Sequence, residues 1–428
     1  MPLNAIDHPF LSAAQEKFPM RLGLNGLGRI GKMTLWHHVA RGAFEGLVVN
    51  IGRDVGRGLE DIASYLEQDS NYGSLSRFLH GFRGGRVIEE LEEGKGTMRV
   101  NGMPVTVLRQ DRNPKDIEWK RHGIKLVIDS TGVFRDPTEA SDAPAGSLRG
   151  HLEAGAEKVI LSAPFKIRDQ SRSIPEDALT AIQGINDEDY DPGKHRIVSA
   201  ASCTTTCLAF MMRIILDHFG PKNILGASMV TVHATTSNQK ILDSMPGPGS
   251  DDLRKTRSLF NNIILTTTGA ADALIQVIPE IRDIGFTAES IRIPTNTGSI
   301  VVLVLNIQDE GPHRPITRET VNEIYRTAAV GHLNPYVTYS DRQNVSSDII
   351  GTTAAVVIEG RETRARTATI RVNLTESCRL QGGDIQGGPS VLEVPITQVV
   401  VYGWYDNELG SFSNMLGELT LTIAKGLS

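Results

Sequence analysis

The stretch RLGLNGLGRIGKMTLWHHVARG, residues 21–42, decides the fold. The apolar residues Leu22–Leu24 predict a short strand, and the glycine-rich turn Gly26–Gly31 leads into the helical apolar spacing of Ile30–Val39. A second apolar strand at Leu47–Ile51 completes a βαβ unit within about 30 residues. The sequence therefore predicts an α/β fold with parallel strands for the first part of the chain.

The three glycines of the turn, Gly26, Gly28 and Gly31, follow the Gly-x-Gly-x-x-Gly spacing. The first permits a tight turn, the second lets the backbone approach a pyrophosphate, and the third allows close packing of helix against strand. The helix N-terminus then offers N–H groups and a positive dipole end to phosphates. Because the motif follows a strand and opens a helix, it predicts a dinucleotide-binding site.

The residues after the second strand bear on which dinucleotide binds. Asp54 lies at the spacing where a carboxylate meets the adenosine ribose hydroxyls, which favours NAD because its charge would repel a 2′-phosphate. Arg53 and Arg57 stand beside it, and an arginine there accommodates NADP. We therefore expect NAD and keep NADP as an alternative.

Composition excludes several classes of protein. The 428 residues suggest two or three domains. A net charge of −6 argues against a broad nucleic-acid or anionic-lipid surface, and aliphatic runs such as Ile300–Leu305 are far shorter than the roughly 20 residues of a membrane helix. Three cysteines cannot form a disulfide framework, and residues 1–20 lack the pattern of a signal peptide. We expect a cytoplasmic enzyme without metal, nucleic-acid partner or membrane association.

Two different sheets are predicted. Strands alternate with helices in the first half, which is typical of a doubly wound parallel sheet of Rossmann type, with further strands at 125–128 and 158–161. From about residue 225 the strands are longer and rich in β-branched residues, which favours a second α+β domain with a mainly antiparallel sheet. Its strands are predicted at 226–233, 299–307, 367–372 and 398–404, with a helix near 320–330 and a terminal helix at 407–425.

A cysteine at a predicted helix start is the main candidate for chemistry. Ser202 is a suitable N-cap, and Cys203 then lies in the first turn, where the helix dipole stabilises a thiolate. Cys207 lies one turn further on, and its spacing is not that of a redox pair. His233, at the end of strand 226–233, is a candidate base, although structural roles remain open for it and for both thiols.

Nine motifs in one order resemble the phosphorylating glyceraldehyde-3-phosphate dehydrogenases, from about residue 21 to the C-terminal helix. They are NGLGRIG (25–31), DSNYG (69–73), STGVF (130–134), SAP (162–164), SCTTTC (202–207), TVHATTSNQK (231–240), TTTGAA (266–271), RIPT (292–295) and WYDNE (404–408).

The resemblance implies a role for each matching residue. Cys203 would be the nucleophile and His233 the base. The cofactor NAD, or NADP, would contact Asn25, Gly26, Gly28, Arg29, Ile30, Gly31, Asp54, Ser130, Thr131, Gly132, Ser162 and Asn407. Glyceraldehyde 3-phosphate and inorganic phosphate would contact Ser202, Thr204, Thr236, Thr268, Gly269 and Arg292.

The resemblance also implies an organisation. After an extension at 1–20, residues 21–201 would form the dinucleotide-binding domain, completed by the helix at 407–428, and 202–406 the catalytic domain. The loop 239–257 would reach a neighbouring subunit in a homotetramer.

The sequence departs from the family pattern in places. Thr206 precedes Cys207 where asparagine is usual, and extra residues lie at 244–250 and around 361–395. Two alternatives stay open: oxidation of erythrose 4-phosphate, in which water resolves the thioester, and a non-catalytic paralogue. The direction of the reversible reaction also stays open.

Overall fold

The computed structural model describes residues 16–237, 239–250, 252–308, 315–374 and 391–427. Its packing divides the chain into two units. Unit 1 comprises the chain up to Thr206, Ile350–Thr353 and the chain from Asp406, and unit 2 comprises Cys207–Ile349 and Ala354–Tyr405. The domain boundaries expected from the sequence stay a prediction, and most of the expected N-terminal extension lies outside the described residues.

Unit 1 is a doubly wound sheet with helices, as the sequence predicted. Its helices are α1 (Arg29–Arg41), α2 (Leu59–Glu67), α3 (Leu75–His80), α4 (Leu148–Glu153) and, after the helices of unit 2, α8 (Ser411–Lys425). Its strands are β1 (Phe18–Asn25), β2 (Phe44–Asn50), β3 (Gln68–Asp69), β4 (Gly73–Ser74), β5 (Ile88–Glu92), β6 (Thr97–Val100), β7 (Met103–Leu108), β8 (Leu126–Asp129), β9 (Lys158–Leu161), β10 (Ala178–Thr180) and β11 (Ile197–Ser199).

The main sheet of unit 1 has the strand order β10-β11-β9-β8-β1-β2-β7-β6-β5. The strands from β10 to β7 run parallel, so their carboxyl ends meet at one edge, and β6 and β5 add an antiparallel extension. The four residues of β8 and the four of β9 are all buried, as expected for parallel strands covered on both faces. Helix α8 contributes Leu416 and Leu419 to the same apolar core.

Unit 2 carries the second sheet, which is mainly antiparallel as predicted, with the order β13-β14-β12-β15-β19-β17-β16 and β18 paired to β19. Helix α5 (Cys203–Phe219) starts in unit 1 and continues into unit 2, where it is followed by α6 (Ala270–Val277) and α7 (Arg318–Val330). The strands are β12 (Ile224–His233), β13 (Ile264–Thr266), β14 (Phe286–Arg292), β15 (Ser299–Gln308), β16 (Val337–Ser340), β17 (Val356–Glu359), β18 (Arg364–Asn373) and β19 (Val391–Tyr405).

Strand β19 begins seven residues before the predicted strand at Gln398. Its first part pairs with β18, from Asn373 opposite Val391 to Arg364 opposite Val400. Most of β18 is exposed on both faces, and the strand predicted at 367–372 lies within it. The first part of β19 contains Pro395, which argues against a strand in sequence-based prediction. The run LQGGDIQGGP at 380–389, which the sequence marks as a glycine-rich excursion, lies outside the described residues.

No helix in the described ranges combines the length and the hydropathy needed to cross a membrane.

A buried carboxylate joins the strand ends of unit 1. The indole N–H of Trp119 donates to Nδ1 of His151 at 2.9 Å. Since an indole can only donate, Nδ1 must accept, and Nε2–H of His151 donates to Oδ2 of Asp129 at 3.0 Å. Oδ2 also accepts from Nδ2 of Asn25 at 2.8 Å, and Oδ1 accepts from the amide and the hydroxyl of Thr131. The carboxylate is therefore saturated with donors and has no exposure to solvent.

The same network extends to the next strand. Nδ2 of Asn50 donates to Oδ1 of Asn25 at 2.9 Å and to the carbonyl oxygen of Asp111 at 3.0 Å. Asn25 ends β1, Asn50 ends β2 and Asp129 ends β8, so one chain of hydrogen bonds ties three parallel strands together at their carboxyl ends.

We expect Asp129→Ala to lower the free energy of unfolding of unit 1 by about 3–5 kcal/mol, because it leaves the buried donors of Asn25 and His151 unpaired. Chemical denaturation followed by tryptophan fluorescence measures this. The exposed carboxylate variant Asp142→Ala is the control and should change stability by less than about 0.5 kcal/mol. Equal stability of the two variants would contradict the role of Asp129.

Candidate active site

The predicted glycine turn has the geometry of a pyrophosphate cradle. Gly26 has a φ of +96°, and its amide donates to the carbonyl oxygen of Asn50, which holds the turn between β1 and α1 against the end of β2. A Cβ on Gly31 would collide with the carbonyl oxygen of Gly26, so the third glycine is required for packing. Gly28 precedes the first residue of α1 and faces open space, which is the room a pyrophosphate requires.

A cleft of about 570 Å³ lies over the carboxyl ends of β1, β2 and β8. It is lined by Asn25, Gly26, Asn50, Ile51, Arg53, Arg112, Asn113, Thr131, Val133, Phe134, Pro144 and Ala145. Oδ1 of Asn50 is buried without a hydrogen-bond partner among the described residues, and it would accept a hydrogen bond from a ribose hydroxyl. An apolar wall, an amide acceptor and the open glycine turn together fit the adenosine half of a dinucleotide.

Asp54 is not among the residues that line this cleft or the adjoining one of about 540 Å³. It is exposed and lies four residues beyond Asn50, where β2 ends. Arg53 lines both clefts, whereas the side chain of Arg57 is 95% exposed and faces Asp61. The ribose role predicted for Asp54 stays a prediction. The residue of this loop that lines both clefts is Arg53.

The loop after β8 was predicted to contact cofactor, and its residues have different structural roles. The hydroxyl of Ser130 donates to the carbonyl oxygen of Gly26 at 2.9 Å, so it braces the glycine turn. Gly132 has a φ of +66° and faces open space, and Thr131 lines the cleft. Ser162, after β9, donates its amide to the carbonyl oxygen of Asp129 at 2.9 Å. These residues therefore lie at the carboxyl-end edge of the sheet, and their contacts with cofactor stay a prediction.

Arg29 and Ile30 form the first turn of α1, and the guanidinium of Arg29 is held by two carboxylates. Its nitrogens pair with Asp69 and, at 2.5 Å, with Glu408. Burial would raise the pKa of Asp69, but hydrogen bonds from Arg29 and from the amide of Asn71 lower it to about 2. The side chain of Arg29 thus connects α1 by ion pairs to Asp69 of the DSNYG motif and Glu408 of the WYDNE motif.

Asn407 lies in the segment that precedes α8 and is buried. The preceding residue, Asp406, fixes this segment: it accepts from the hydroxyl of Tyr72 at 2.7 Å, from the amide of Gly351 at 2.8 Å and from the amide of Glu408 at 2.9 Å. The backbone on both sides of Asn407 is therefore held in place within unit 1.

Cys203 is the first residue of α5 and is half-buried. The hydroxyl oxygen of Ser202 accepts from the amide of Thr205 at 3.1 Å, which is the N-cap interaction expected from the sequence, and Thr204 follows in the first turn. Ala201 has a φ of +55°, a left-handed conformation that is rare for a residue with a Cβ. Strained backbone of this kind is concentrated at functional sites, and here it immediately precedes the capped thiol helix.

His233 and Arg292 are brought together in unit 2. They are register partners at the ends of the parallel strands β12 and β14. The carbonyl oxygen of Ala234 accepts from Nη1 of Arg292 at 2.8 Å and lies 2.7 Å from Nδ1 of His233. Nη1 of Arg292 also contacts Nδ1 of His233, so two tautomers are compatible with these contacts. In the tautomer whose Nδ1–H donates to the carbonyl oxygen of Ala234, Nε2 holds the lone pair that can accept a proton. The His233 ring also packs edge-on against Tyr405.

The electrostatics of His233 keep it neutral. Burial and the adjacent Arg292 guanidinium lower the pKa of its imidazole to about 3. The imidazole is therefore neutral at pH 7, and its unprotonated ring nitrogen is able to accept a proton.

The remaining predicted anion ligands lie at loop and helix starts of unit 2. Gly269 precedes the first residue of α6 and faces open space, and the hydroxyl oxygen of Thr268 accepts from the amide of Ala270 at 3.2 Å. Thr236 follows β12, and its hydroxyl donates to the side-chain oxygen of Gln239 at 2.7 Å. A helix N-terminus with an open glycine is a suitable place for a phosphate.

Sequence reasoning missed the residues that organise the cleft. Arg112 lines the cleft, and its Nε donates to the carbonyl oxygen of Gly52 at 3.2 Å. Trp119, His151 and Asp129 form the buried chain of hydrogen bonds that positions the strand ends below the cleft. These residues come from separate loops, helices and strands, and only the acidic end of β8, in the run LVID, offers a sequence signal.

Comparison with known proteins shows the family of the chain. Residues 20–137 match the family model described as the glyceraldehyde 3-phosphate dehydrogenase NAD binding domain, and residues 202–375 match the corresponding C-terminal domain. A Streptomyces avermitilis protein named glyceraldehyde-3-phosphate dehydrogenase 2 is 33% identical over 95% of this chain and 99% of its own length. Glyceraldehyde-3-phosphate dehydrogenases from Streptomyces coelicolor and Geobacillus stearothermophilus are 34% and 32% identical over the same shares. The chain therefore belongs to the glyceraldehyde-3-phosphate dehydrogenase family.

Proposed function

We propose that this chain oxidises glyceraldehyde 3-phosphate to 1,3-bisphosphoglycerate, with NAD(P) as hydride acceptor and inorganic phosphate as second substrate. The observation that carries the proposal is the position of Cys203, at the first residue of a helix capped by Ser202 and preceded by the strained Ala201. A thiol there is stabilised as a thiolate by the helix dipole.

The chemistry follows from the thiolate. Cys203 Sγ attacks the aldehyde carbon and forms a thiohemiacetal, because a carbonyl is oxidised to the acid level only after a nucleophile has added to it. When bound, the nicotinamide ring supplies the hydride acceptor. The base His233 takes the hydroxyl proton through Nε2, and the acyl group remains on Cys203 as a thioester. Inorganic phosphate then attacks the thioester carbon, and the acyl phosphate leaves as the thiolate is regenerated.

The substrates are anionic, and the proposed site supplies local donors in a chain whose net charge is −6. We assign phosphate binding to the guanidinium of Arg292 and the N-terminus of α6, and to hydroxyls that the resemblance points to. Arginine forks and helix N-termini both favour phosphate oxygens. The residues of this set are Ser202, Thr204, Thr236, Thr268, Gly269 and Arg292.

The cofactor contacts are proposed for the edge of the sheet in unit 1. The open turn at Gly28 would take the pyrophosphate, and the cleft beside Asn50 the adenosine. Asn407 would hold the nicotinamide carboxamide, as the resemblance implies, on backbone fixed by Asp406.

A homotetramer is part of the proposal. The described part of the loop expected to reach a neighbouring subunit exposes large apolar side chains, including Ile241, Leu242 and Met245, and Phe260 and Ile263 follow it. Exposed apolar side chains clustered in one segment mark an interaction surface. The cytoplasmic location remains a proposal, supported by the small number of cysteines.

The thiol assignment predicts that Cys203→Ser lowers steady-state turnover by more than about 10³-fold, because serine is not a thiolate nucleophile. Initial rates of NAD(P) reduction, with and without phosphate, measure this, and NAD(P) affinity should be retained. The matched control is Cys207→Ala, whose buried Sγ lies 3.7 Å from the carbonyl oxygen of Gly403. Turnover retained in Cys203→Ser would refute the assignment, and a wild-type rate indifferent to phosphate would favour erythrose 4-phosphate oxidation with water.

The base assignment predicts that His233→Asn slows acylation by roughly 10²–10⁴-fold, the usual contribution of a positioned base. The hydride-transfer burst after rapid mixing reports this step. His218→Asn, at an exposed position on α5, serves as the control and should keep the normal burst. A normal burst in His233→Asn would reject the role.

The lowered pKa of His233 also predicts a pH dependence of stability. The unfolded chain binds a proton at this side chain near pH 6.5, whereas the folded chain does so only near pH 3. Folding therefore loses stability as the pH falls from 6.5 towards 3. Unfolding midpoints measured at pH 7.5, 5.5 and 4.5 should fall less steeply in His233→Gln than in the wild type. Identical slopes would show that His233 is not buried as a neutral imidazole.

A further inference from the structure

The cleft beside β2 carries a positive charge that the proposed reaction does not require. Arg53 and Arg112 both line it, and no carboxylate is among its lining residues. Within the described ranges, no Asp or Glu oxygen lies within ion-pair distance of either guanidinium. Two unneutralised arginines in one cleft indicate an anionic ligand group.

The position of the two arginines relates this charge to one part of a dinucleotide. In a βαβ nucleotide site, the adenosine ribose lies just beyond the end of the second strand, where a carboxylate selects NAD and an arginine accommodates the 2′-phosphate of NADP. Here β2 ends at Asn50, and Ile51 follows, so no carboxylate occupies the strand end. Arg53 comes two residues later and lines both adjoining clefts.

Arg112 is held in place by the loop that it faces. Its Nε donates to the carbonyl oxygen of Gly52, which leaves its terminal nitrogens for a ligand. Gly52 has a φ of +65°, and a Cβ there would lie 2.7 Å from the carbonyl oxygen of Asp111. The loop after β2 is thus packed closely against Asp111 and Arg112, and the hydrogen bond to Gly52 restrains the otherwise exposed side chain of Arg112.

The nearby carboxylates do not cancel this charge. Asp54 lines neither cleft. Asp61 lines only the adjoining cleft, and its Oδ2 accepts from the amide of Arg57 at 2.7 Å and lies 3.8 Å from the guanidinium of the same residue. Asp61 therefore interacts with Arg57 rather than with Arg53 or Arg112.

We infer that Arg53 and Arg112 form a subsite for the 2′-phosphate of the adenosine ribose, so that this chain prefers NADP over NAD. The inference rests on the proposed function, since it takes the cleft to hold the adenosine half of the nicotinamide cofactor. It replaces the preference for NAD expected from the spacing of Asp54. The uncharged Oδ1 of Asn50 remains available to a ribose hydroxyl and repels no phosphate.

Isothermal titration of the full chain with NADP⁺, NAD⁺, 2′,5′-ADP and 5′-AMP tests the subsite by binding alone. We expect NADP⁺ to bind at least about tenfold more tightly than NAD⁺, and 2′,5′-ADP more tightly than 5′-AMP. The affinity for NADP⁺ should fall more steeply with salt, because the additional contacts are charged.

Variants assign the effect to the two arginines. Arg53→Ala and Arg112→Ala should each weaken NADP⁺ binding by about 10- to 100-fold and change NAD⁺ binding by less than about threefold. Arg57→Ala is the matched control, because its side chain is exposed and lies outside the lining of both clefts, and it should bind both dinucleotides normally.

Several results would overturn the inference. NAD⁺ binding as tightly as NADP⁺, or an NADP⁺ affinity unchanged in both Arg53→Ala and Arg112→Ala, would remove the subsite. A tenfold loss of NAD⁺ affinity in Asp54→Asn would restore Asp54 as the ribose ligand. Tight binding of NAD⁺ alone would leave the proposed function standing, whereas binding of neither dinucleotide would refute both.

Discussion

The buried carboxylate of Asp129 is the interaction on which the nucleotide half of the molecule depends. Parallel strands leave their carboxyl ends as separate loops, and nothing in the sheet ladder itself fixes these loops relative to one another. Asp129 joins them because it accepts from Asn25 at the end of β1 and from Thr131 in its own loop. His151 also donates to Asp129, and Trp119 in turn donates to His151. With all its donors satisfied, a fully buried carboxylate stabilises a single arrangement of the cleft.

A second set of charges connects segments that are far apart in sequence. Arg29, at the start of α1, pairs with Asp69 and with Glu408, which are separated by most of the chain. This explains why the DSNYG and WYDNE motifs accompany the glycine turn: their acidic residues meet on one guanidinium. Motif residues that suggest ligand contacts by their position in the sequence can thus have structural roles.

The sequence predicts the local elements well and the long-range contacts poorly. The βαβ unit, the strand Lys158–Leu161 and the cap of Ser202 on the thiol helix depend on residues a few positions apart, so periodicity and capping rules find them. The strand predicted at 367–372 lies within β18, whereas the first seven residues of β19 were not predicted because Pro395 interrupts them. The spacing after the second strand points to Asp54, but only the fold shows that Arg53 lines the cleft and Asp54 does not.

The proposal depends on Cys203 as the carrier of the acyl group, and mass spectrometry tests this most directly. The full chain, mixed with glyceraldehyde 3-phosphate and oxidised dinucleotide without phosphate and then quenched in acid, should carry one phosphoglyceroyl group on the peptide that contains Cys203. The group should disappear when phosphate is added before the quench. An acyl group on Cys207 instead, or no acylated peptide while the dinucleotide is reduced, would contradict the account.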